Sequence, residues 1–404
     1  MLGRVLNTHQ QWLCRRLADL GHTVTRQVAV ADAGADIQGA VREALDRADW
    51  VITTGGLGPT SDDLTRELIA GLLGRKLVQN QAVLAHIESF FAKRNRPRPS
   101  KTTVETFVPE GALVFLNQYG TAPGLAMSVN RNGSGKKWLV MLPGPPRELR
   151  PMFDDAVAPL LRRETSAEMF VCRTLRSTGI GESRVQEMVE NDLQPLALRG
   201  LEIGYCARPG AVDVRLSARG PEAETLVHAG ITSVQKNLGA NIFGFDDDEI
   251  ETVVVRLLIE KKRTLALAES CTGGNIAHRV TNISGASDVF LGGVVSYANA
   301  AKENFLGVDA GSLQTHGAVS ETVAREMAVG AQLRFGSDFA LAVTGIAGPG
   351  GGSDDKPVGT VFLALATPEG VEVRRLFNPW ERITFKEVTA TQALEWLRTR
   401  LISA

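Results

Sequence analysis

Apolar and polar residues alternate along this chain with two periods, one typical of helices and one typical of buried strands. In residues 1–165 and 248–404, amphipathic helical stretches alternate with short apolar runs, as they do in α/β domains. Residues 168–246 contain fewer elements of both kinds, which indicates a small α+β module. The predicted fold class is therefore α/β, with two three-layer α/β domains joined by that module.

The first block begins with a helix instead of the strand that normally opens an α/β domain, so its first strand is expected to be missing. The pattern predicts three helices and three strands in this block. The helices are Gln10–Leu20, Ile37–Arg47 and Leu64–Leu73, and the strands are Thr23–Val30, Trp50–Thr54 and Trp138–Leu142.

The middle and last blocks are predicted in the same way. In the middle block the strands are Val171–Ser177 and Val212–Ala218, and the helices are Ser183–Asn191 and Glu222–Leu238. In the last block the helices are Ile250–Lys262 and Asn275–Val280, and the strands are Thr264–Ala268, Gly292–Ser296, Phe339–Thr344 and Gly359–Ala366.

Composition narrows the class of protein. A chain of 404 residues is too long for one ordinary core, so two or three domains are expected. The formal net charge of −1 gives no support for nucleic acid as a partner. Four cysteines lie far apart and form no Cys-x-x-Cys pair, which argues against zinc and disulfides and favours a reducing cytoplasm. We recognise no signal peptide and no membrane-crossing run, so no membrane partner is expected.

A serine at a predicted strand-to-helix turn is the first candidate for chemistry. Ser270 follows the strand Thr264–Ala268, and Gly273 and Gly274 let backbone approach a ligand closely. Free N–H groups at the start of the next helix would favour a phosphate or an oxyanion. The pattern is that of an acyl-transfer or amidohydrolase site. Two alternatives stay open, namely that Ser270 only caps the helix and that Cys271 is the nucleophile.

A serine nucleophile needs a base. His278 and His316 are candidates, but neither lies on an obvious site loop. A lysine made neutral by burial or by a nearby cation is the other choice. Lys302 follows Asn299 at a spacing that puts both on one helix face. On spacing alone, a solvated helix lysine remains the simpler interpretation.

Further polar clusters follow the other strands of the last block, and the carboxyl ends of parallel strands meet at one edge of a sheet. They include Ser296–Lys302, with Tyr297, and residues 317–321. A glycine-rich loop follows Thr344 and contains Gly348, Gly350 and Gly351. Such a loop is often only a flexible turn, but its position after a strand favours contact with a phosphate or an oxyanion.

The first block has a glycine loop of its own, after the strand Trp50–Thr54. Its glycines would let a phosphate approach, Thr60 could touch a phosphate oxygen, and Asp62 and Asp63 could hold a divalent cation. Helix capping by the aspartates is the alternative. Two further loops, 120–124 and 142–148, could close this site. The glycines of the loop are Gly55, Gly56 and Gly58.

The strings AESCTGG, SYANAAK, HGAVSE and TGIAGPGGGSDDKPVGTV resemble the nicotinamide-nucleotide amidohydrolase domain of the CinA family, over residues 250–404. The resemblance implies hydrolysis of the carboxamide of nicotinamide mononucleotide (NMN), in pyridine-nucleotide salvage, without a cofactor. It implies a Ser/Lys mechanism with Ser270 as nucleophile and Lys302 as general base. The oxyanion is expected at the N–H groups of Gly273-Gly274 or of the 345–352 loop. By the same resemblance Thr272, Tyr297 and Thr344 support the site, and Arg382 binds phosphate or lowers the pKa of Lys302.

In the first block, GGLGPTSDD, GTAPG and LPGPPRE resemble the N-terminal domain of the same family, which has a molybdopterin-binding-like fold. This resemblance implies hydrolysis of ADP-ribose with a divalent cation such as Mg, Mn or Co. Family members usually open with Gly-Thr-Glu-Leu-Leu-Leu-Gly, of which only Leu2-Gly3 remains here. The first strand and its glutamate are therefore expected to be absent, and pyrophosphatase activity is uncertain.

The middle block contains STGIGES and resembles a KH-like module. KH domains bind nucleic acid through a basic Gly-x-x-Gly loop, which Gly179-Ile180-Gly181-Glu182 does not provide, so we expect a spacer or dimerisation module. The expected partners are small nucleotides (NMN and ADP-ribose) and a second copy of the chain. Two other functions remain open, a molybdenum-cofactor-type binding or transfer protein and a non-catalytic competence or DNA-repair partner.

Overall fold

The computed structural model describes residues 7–130, 136–165 and 168–403. The chain forms two compact units, residues 1–170 and 171–404. The opening Leu2-Gly3, on which the expectation of a missing first strand depends, lies outside the described residues.

The first unit is built on a mixed sheet of four strands. Strand β1 (Trp50–Thr54) runs parallel to β6 (Lys136–Leu142), while β5 (Gly124–Asn130) runs antiparallel to both β6 and β4 (Leu113–Phe115), in the order β1-β6-β5-β4. A two-stranded ladder joins β2 (Leu77–Gln79) to β3 (Phe107–Pro109). The helices are α1 (Thr8–Asp19), α2 (Gly34–Arg47), α3 (Thr65–Leu72), α4 (Gln81–Ala92), α5 (Pro146–Met152) and α6 (Ala158–Glu164).

Apolar side chains of this sheet are buried on both faces, which makes the unit a three-layer structure. Along β6, Leu139 and Met141 join one core cluster, whereas Val140 and Leu142 join the other. This alternation follows from the two-residue period of a strand. The predicted helices and the strands Trp50–Thr54 and Trp138–Leu142 match the structure.

One predicted strand of this unit is wrong. Residues Thr23–Val30 form no strand, and Val28 and Val30 are exposed. Among the described residues β1 is an edge strand paired with β6, and Thr23–Val30 is not paired with the open edge of β1 or with another strand partner. Alternating valines alone do not make a strand without that partner.

The second unit opens with an α+β module. Its sheet has the order β10-β7-β9-β8. The strands are β7 (Phe170–Thr178), β8 (Glu202–Arg208), β9 (Ala211–Arg219) and β10 (Ile242–Phe245), and the helices are α7 (Glu182–Ala197) and α8 (Ala223–Leu238).

The rest of the second unit is an α/β domain with a five-stranded sheet of order β12-β11-β13-β14-β15. The strands are β11 (Leu265–Glu269), β12 (Phe290–Val295), β13 (Phe339–Gly345), β14 (Thr360–Thr367) and β15 (Gly370–Phe377). The helices are α9 (Ile250–Lys261), α10 (Asn275–Thr281), α11 (Asn299–Leu306), α12 (Ala310–His316), α13 (Glu321–Phe335) and α14 (Arg382–Ser403).

Large and small side chains alternate along the central strands of this sheet. Leu265 and Leu267 of β11 pack into one core cluster, whereas Ala266 and Ala268 pack into the cluster on the other face. On that second face α13 also packs closely against α11, because a side chain at Gly330 would lie 1.8 Å from the carbonyl oxygen of Leu306. The predicted α/β class, with two α/β domains and a small module between them, is confirmed.

The sheet of this domain is mixed, not the open parallel sheet that the sequence suggested. Strands β12, β11 and β13 are parallel, but β14 and β15 are antiparallel to their neighbours. The parallel strands bring Ser270, Ser296 and Thr344 to the same edge of the sheet. Because β14 runs the other way, the residues that precede it, including Lys356, also lie at that edge.

Candidate active site

Ser270 lies directly after β11, an interior strand of the sheet. Its N–H group donates to the carbonyl of Val343 at 2.9 Å, and the N–H of Gly273 donates back to the carbonyl of Ser270 at 3.1 Å. Gly273 and Gly274 have φ angles of +63° and +91°, which L side chains rarely adopt. The tight turn therefore fixes the serine at the carboxyl edge of the sheet, where it is 9% exposed.

Lys302 on α11 contacts Ser270 directly. Its Nζ donates to Ser270 Oγ at 3.2 Å and to the carbonyl of Ser296 at 2.7 Å. The lysine is only 1% exposed, and burial lowers the pKa of its ammonium group below the ordinary 10.5. A lysine with a lowered pKa carries more of the neutral amine that can accept the serine proton.

Glu269, which the sequence reasoning missed, stabilises the turn that contains Ser270. Its carboxylate is 1% exposed and accepts hydrogen bonds from the N–H groups of Gly274 (3.0 Å), Ile276 (3.1 Å) and Ala277 (2.8 Å). An anion at the start of a helix is favoured by the helix dipole and by unpaired N–H groups. The signal was an acidic residue at the end of the strand that leads into the glycine turn before α10.

This arrangement corrects one expectation. The N–H groups at the start of α10 are occupied by Glu269, and that of Gly273 by Ser270, so Gly273 and Gly274 are not free donors for an oxyanion. The two glycines contribute backbone shape and space instead.

The 345–352 loop retains unpaired donors. The loop is held at its base by two main-chain hydrogen bonds of 2.8 Å, from Ile346 to Thr360 and from Gly359 to Ile346. Among the described residues, the N–H groups of Gly348, Gly350 and Gly351 have no acceptor. They are therefore the better candidates for holding an oxyanion.

Arg382 and Tyr297 connect this loop to the end of β12. Arg382 donates to the carbonyl of Gly348 at 2.7 Å, and a second guanidinium nitrogen donates to the hydroxyl of Tyr297. The proposed effect of Arg382 on Lys302 is not found, because burial and not a neighbouring cation lowers the pKa of Lys302. Arg382 instead ties two site loops together.

Three further hydroxyl groups lie at this carboxyl edge of the sheet. Thr344 Oγ1 donates to the carbonyl of Ala318 at 2.8 Å and so joins the HGAVSE segment to β13. Thr272 Oγ1 and Ser296 Oγ are buried and have no hydrogen-bond partner in the part of the chain that the structure describes. Unpaired buried hydroxyls are uncommon in folded proteins, and here they lie on residues adjacent to the Ser270–Lys302 pair.

The rival bases and nucleophile are less suitable. His278 and His316 are both exposed, and the contact made by His316 is structural, its carbonyl accepting from Lys356 Nζ at 2.8 Å. Cys271 is buried, and burial raises the pKa of its thiol to about 12, which suppresses the thiolate needed for attack.

The glycine loop of the first unit is organised differently. Asp63 accepts hydrogen bonds from the N–H of Thr60 at 3.0 Å and from its hydroxyl at 2.5 Å. The missing side chain of Gly58 makes room for this carboxylate, since a Cβ there would lie 2.6 Å from Asp63 Oδ2. Asp63 therefore closes the glycine loop and does not cap α3, whose N-cap Leu64 makes no side-chain hydrogen bond, and Asp62 is exposed. Gly55 and Gly56 have φ angles of +90° and +68°.

Two buried charged residues behind this loop were not expected from the sequence. Arg66 donates to the carbonyl of Leu57 at 3.0 Å, and Glu105 accepts from Thr121 Oγ1 at 3.0 Å. Burial raises the pKa of Glu105 to about 7, although Thr121 and Arg66 oppose the shift. No local pattern marks these residues, because they are 39 positions apart and meet only in the fold.

Within the described ranges no group of three or more His, Cys, Asp or Glu side chains is arranged to hold a metal ion. A divalent cation at Asp62 and Asp63 would need most of its ligands from water and substrate phosphates, as is common for magnesium. Across the same ranges, none of the helices has the length and apolar character required to span a bilayer.

Fold and site together define a multidomain α/β protein with a buried serine–lysine pair. Family models match in three places: the CinA C-terminal domain at residues 247–401, the probable molybdopterin binding domain at 1–163, and the damage-inducible protein CinA KH domain at 172–244. A putative competence-damage inducible protein of Caldicellulosiruptor bescii is 41% identical, covering 100% of this chain and 97% of that protein. A CinA-like protein of Akkermansia muciniphila is 42% identical over 98% of this chain and 94% of its own length. The chain belongs to the CinA family.

Solved structures also resemble part of the chain. The competence/damage inducible protein CihA from Agrobacterium tumefaciens is 42% identical, with 38% of this chain and 97% of that chain covered and a TM-score of 0.36. A CinA superfamily protein from Klebsiella pneumoniae is 35% identical, with 38% and 97% covered and a TM-score of 0.38.

Proposed function

We propose that the C-terminal domain hydrolyses the carboxamide of NMN to nicotinate mononucleotide and ammonia. The observation that carries the proposal is the hydrogen bond of 3.2 Å between Lys302 Nζ and Ser270 Oγ, made by a lysine that is 1% exposed. A nucleophile in contact with a base of lowered pKa is what amide hydrolysis through an acyl-enzyme requires.

The reaction follows from these contacts. Neutral Lys302 takes the proton of Ser270, and Oγ attacks the amide carbon to form a tetrahedral oxyanion. The resulting ammonium of Lys302 gives its proton to the departing nitrogen, which leaves as ammonia. A water molecule, deprotonated by the regenerated amine, then attacks the acyl carbon and releases nicotinate mononucleotide and free Ser270.

The oxyanion and the substrate need further donors. Unpaired N–H groups in the 345–352 loop support the role of oxyanion hole, because preorganised donors stabilise charge that develops in the transition state. The buried hydroxyls of Thr272 and Ser296 are available to a bound substrate, since neither has a partner among the described residues.

The test is an assay of ammonia and nicotinate mononucleotide after incubation with NMN. We expect both products from the wild-type protein and neither from Ser270→Ala, with the variant retaining its circular dichroism spectrum. Ammonia release by folded Ser270→Ala would refute the assignment of the nucleophile. Inactivity of the wild type would favour the two other functions, cofactor binding or a non-catalytic competence role.

A second activity, metal-dependent hydrolysis of ADP-ribose, is proposed for the first unit. It is supported by Glu105, a buried carboxyl titrating near neutrality behind a glycine loop, since such groups are enriched at functional sites. The test is AMP release from ADP-ribose with Mg²⁺, Mn²⁺ or Co²⁺, compared with EDTA. Asp62→Asn should reduce AMP release if Asp62 holds the cation, and an unchanged rate would remove Asp62 from the site.

Two further properties also stay predictions, namely that the protein is cytoplasmic and that it forms a homodimer.

A further inference from the structure

Lys386 is a cation beside the Ser270 turn that the proposed mechanism does not use. Its Nζ lies 3.5 Å from the position that a Cβ of Gly273 would occupy. Its own carbonyl accepts from Asn275 Nδ2 at 3.4 Å, which links this part of α14 to the start of α10. The ammonium group of Lys386 therefore lies next to the turn, within van der Waals distance of the Cβ position at Gly273.

The charge of Lys386 is not neutralised by the protein. The side chain is half-buried, yet among the described residues no carboxylate, carbonyl or hydroxyl accepts a hydrogen bond from its Nζ. By contrast, Lys356 near the same edge donates to the carbonyl of His316, and Arg382 donates to Gly348 and Tyr297. Lys386 thus retains hydrogen-bonding capacity that its neighbours have already used.

Its position in α14 adds to the excess of positive charge. The helix begins at Arg382, and Lys386 lies one turn further along. Cations near a helix N-terminus are unfavourable, because the helix dipole is positive there. Glu381 caps the helix through the N–H groups of Ile383 and Thr384. The arrangement would be stabilised by an anion bound at Lys386.

The distance to the nucleophile suits a nucleotide. Gly273 is three residues from Ser270, a stretch that spans at most about 10 Å even when extended, and the turn makes it shorter. A ligand with its carboxamide at Ser270 and an anionic group at Lys386 must therefore have the two groups separated by a linker of limited length. In NMN the ribose is part of the linker between the nicotinamide carboxamide and the phosphate.

We propose that Lys386 binds the phosphate of the nucleotide substrate and makes the site selective for phosphorylated over unphosphorylated nicotinamide ribosides. The inference rests on the proposed amidohydrolase function and adds to it a specificity-determining residue. A lysine suits this task, because its ammonium is a compact point charge with three donors.

The experiment compares NMN with nicotinamide riboside, which lacks the phosphate. For Lys386→Ala, kcat/KM for NMN should fall about 10- to 100-fold, mainly through KM, as expected for loss of one charge-assisted hydrogen bond. The value for the riboside should change less than about threefold, and Lys386→Arg should recover part of the NMN activity. Glu387→Ala, an exposed neighbour on the same helix, is the matched control and should leave both values unchanged.

An equal loss for both substrates, or an unchanged preference for NMN, would overturn the proposal. A binding measurement separates this failure from that of the amidohydrolase function. Ribose 5-phosphate should bind wild type more tightly than ribose does, and Lys386→Ala should remove that difference even if the wild type releases no ammonia. Equal binding of ribose 5-phosphate to wild type and Lys386→Ala would count against the phosphate site itself.

Discussion

Two strand-to-helix glycine turns in this protein look alike in sequence but differ in how their hydroxyls are used. The turn after β1 ends in Asp63, whose carboxylate accepts from the backbone and hydroxyl of Thr60. The turn after β11 is preceded by Glu269, whose carboxylate accepts three N–H groups at the start of α10. As a result Thr60 is engaged within its turn, whereas Ser270 is left to contact Lys302.

The comparison shows that a glycine turn by itself does not define a nucleophile. Both turns use glycines at positive φ, and both use a carboxylate to satisfy donors. The difference lies in a partner from elsewhere in the chain: Lys302 is buried against Ser270, whereas Arg66, behind the first turn, bonds the carbonyl of Leu57. Reactivity therefore depends on what the fold packs against the turn.

The largest effect is expected at the base. Lys302→Met should reduce ammonia release from NMN by about 10²- to 10⁴-fold, the range for loss of a general base. Lys302→Arg should be as inactive as Lys302→Met, because a guanidinium is not deprotonated in proteins. Lys236→Met, an exposed lysine of the middle module, serves as control. Substantial activity in Lys302→Arg would show that charge, not proton transfer, is what the site needs.

The same lysine predicts a pH dependence. Because the pKa of Lys302 is lowered from 10.5, the amine becomes neutral, and kcat/KM should rise with pH along a limb centred below 10.5. The pH profile of kcat/KM for NMN, measured from about pH 5 to about pH 10, tests for this rising limb. A profile without a rising limb below 10.5 would contradict a Lys302 base.

The two carboxylates should differ in their effect on stability. Glu269→Gln replaces one of the two carboxylate oxygens with an NH2 donor, so at least one of the three buried N–H groups loses its acceptor. We expect a cost of roughly 2–4 kcal/mol in the free energy of local unfolding. Asp63→Asn should cost less than about 1 kcal/mol, since the Asn amide oxygen can accept the same N–H of Thr60 in a partly exposed loop. Hydrogen exchange of α10 and α3 measures both. Equal costs would mean that the two turns are held together in the same way.

A smaller, pH-dependent effect is expected at Glu105. The folded pKa of about 7 lies above the ordinary 4.5, so its stabilising contribution is present below pH 4.5 and is lost as pH rises through about 7. Glu105→Gln should therefore be more stable than wild type by roughly 1–2 kcal/mol above pH 8, with no such advantage below pH 4.5. Hydrogen exchange in residues 102–109, corrected for intrinsic rates, follows this difference.

Much of the fold followed from the sequence, because period and turn residues are local signals. The strands around Ser270 and the helix that carries Lys302 were predicted from such local signals. The failures involve distant partners. Thr23–Val30 has the alternation of a strand but is not part of the sheet. Gly273 and Gly274 precede a helix, but the N–H groups at the start of that helix donate to Glu269.

The candidate site was predictable to a similar extent. Ser270 and Lys302 were proposed from motifs, and their contact could be seen only in the fold, where Lys302 Nζ donates to Ser270 Oγ. Glu269 was visible as an acid before a helix but was not used. Lys386 lies on a helix more than 100 residues from Ser270 in sequence, so no spacing rule could connect the two.

The most direct test of a serine acyl-enzyme is to locate the covalent adduct. Wild-type protein mixed with NMN, quenched in acid within a single turnover and digested, should carry the acyl group on Ser270 in the peptide that spans AESCTGG. Peptide mass spectrometry with fragmentation distinguishes Ser270 from the neighbouring Cys271. An acyl group on Cys271, or one that persists on this peptide in Ser270→Ala, would contradict the account.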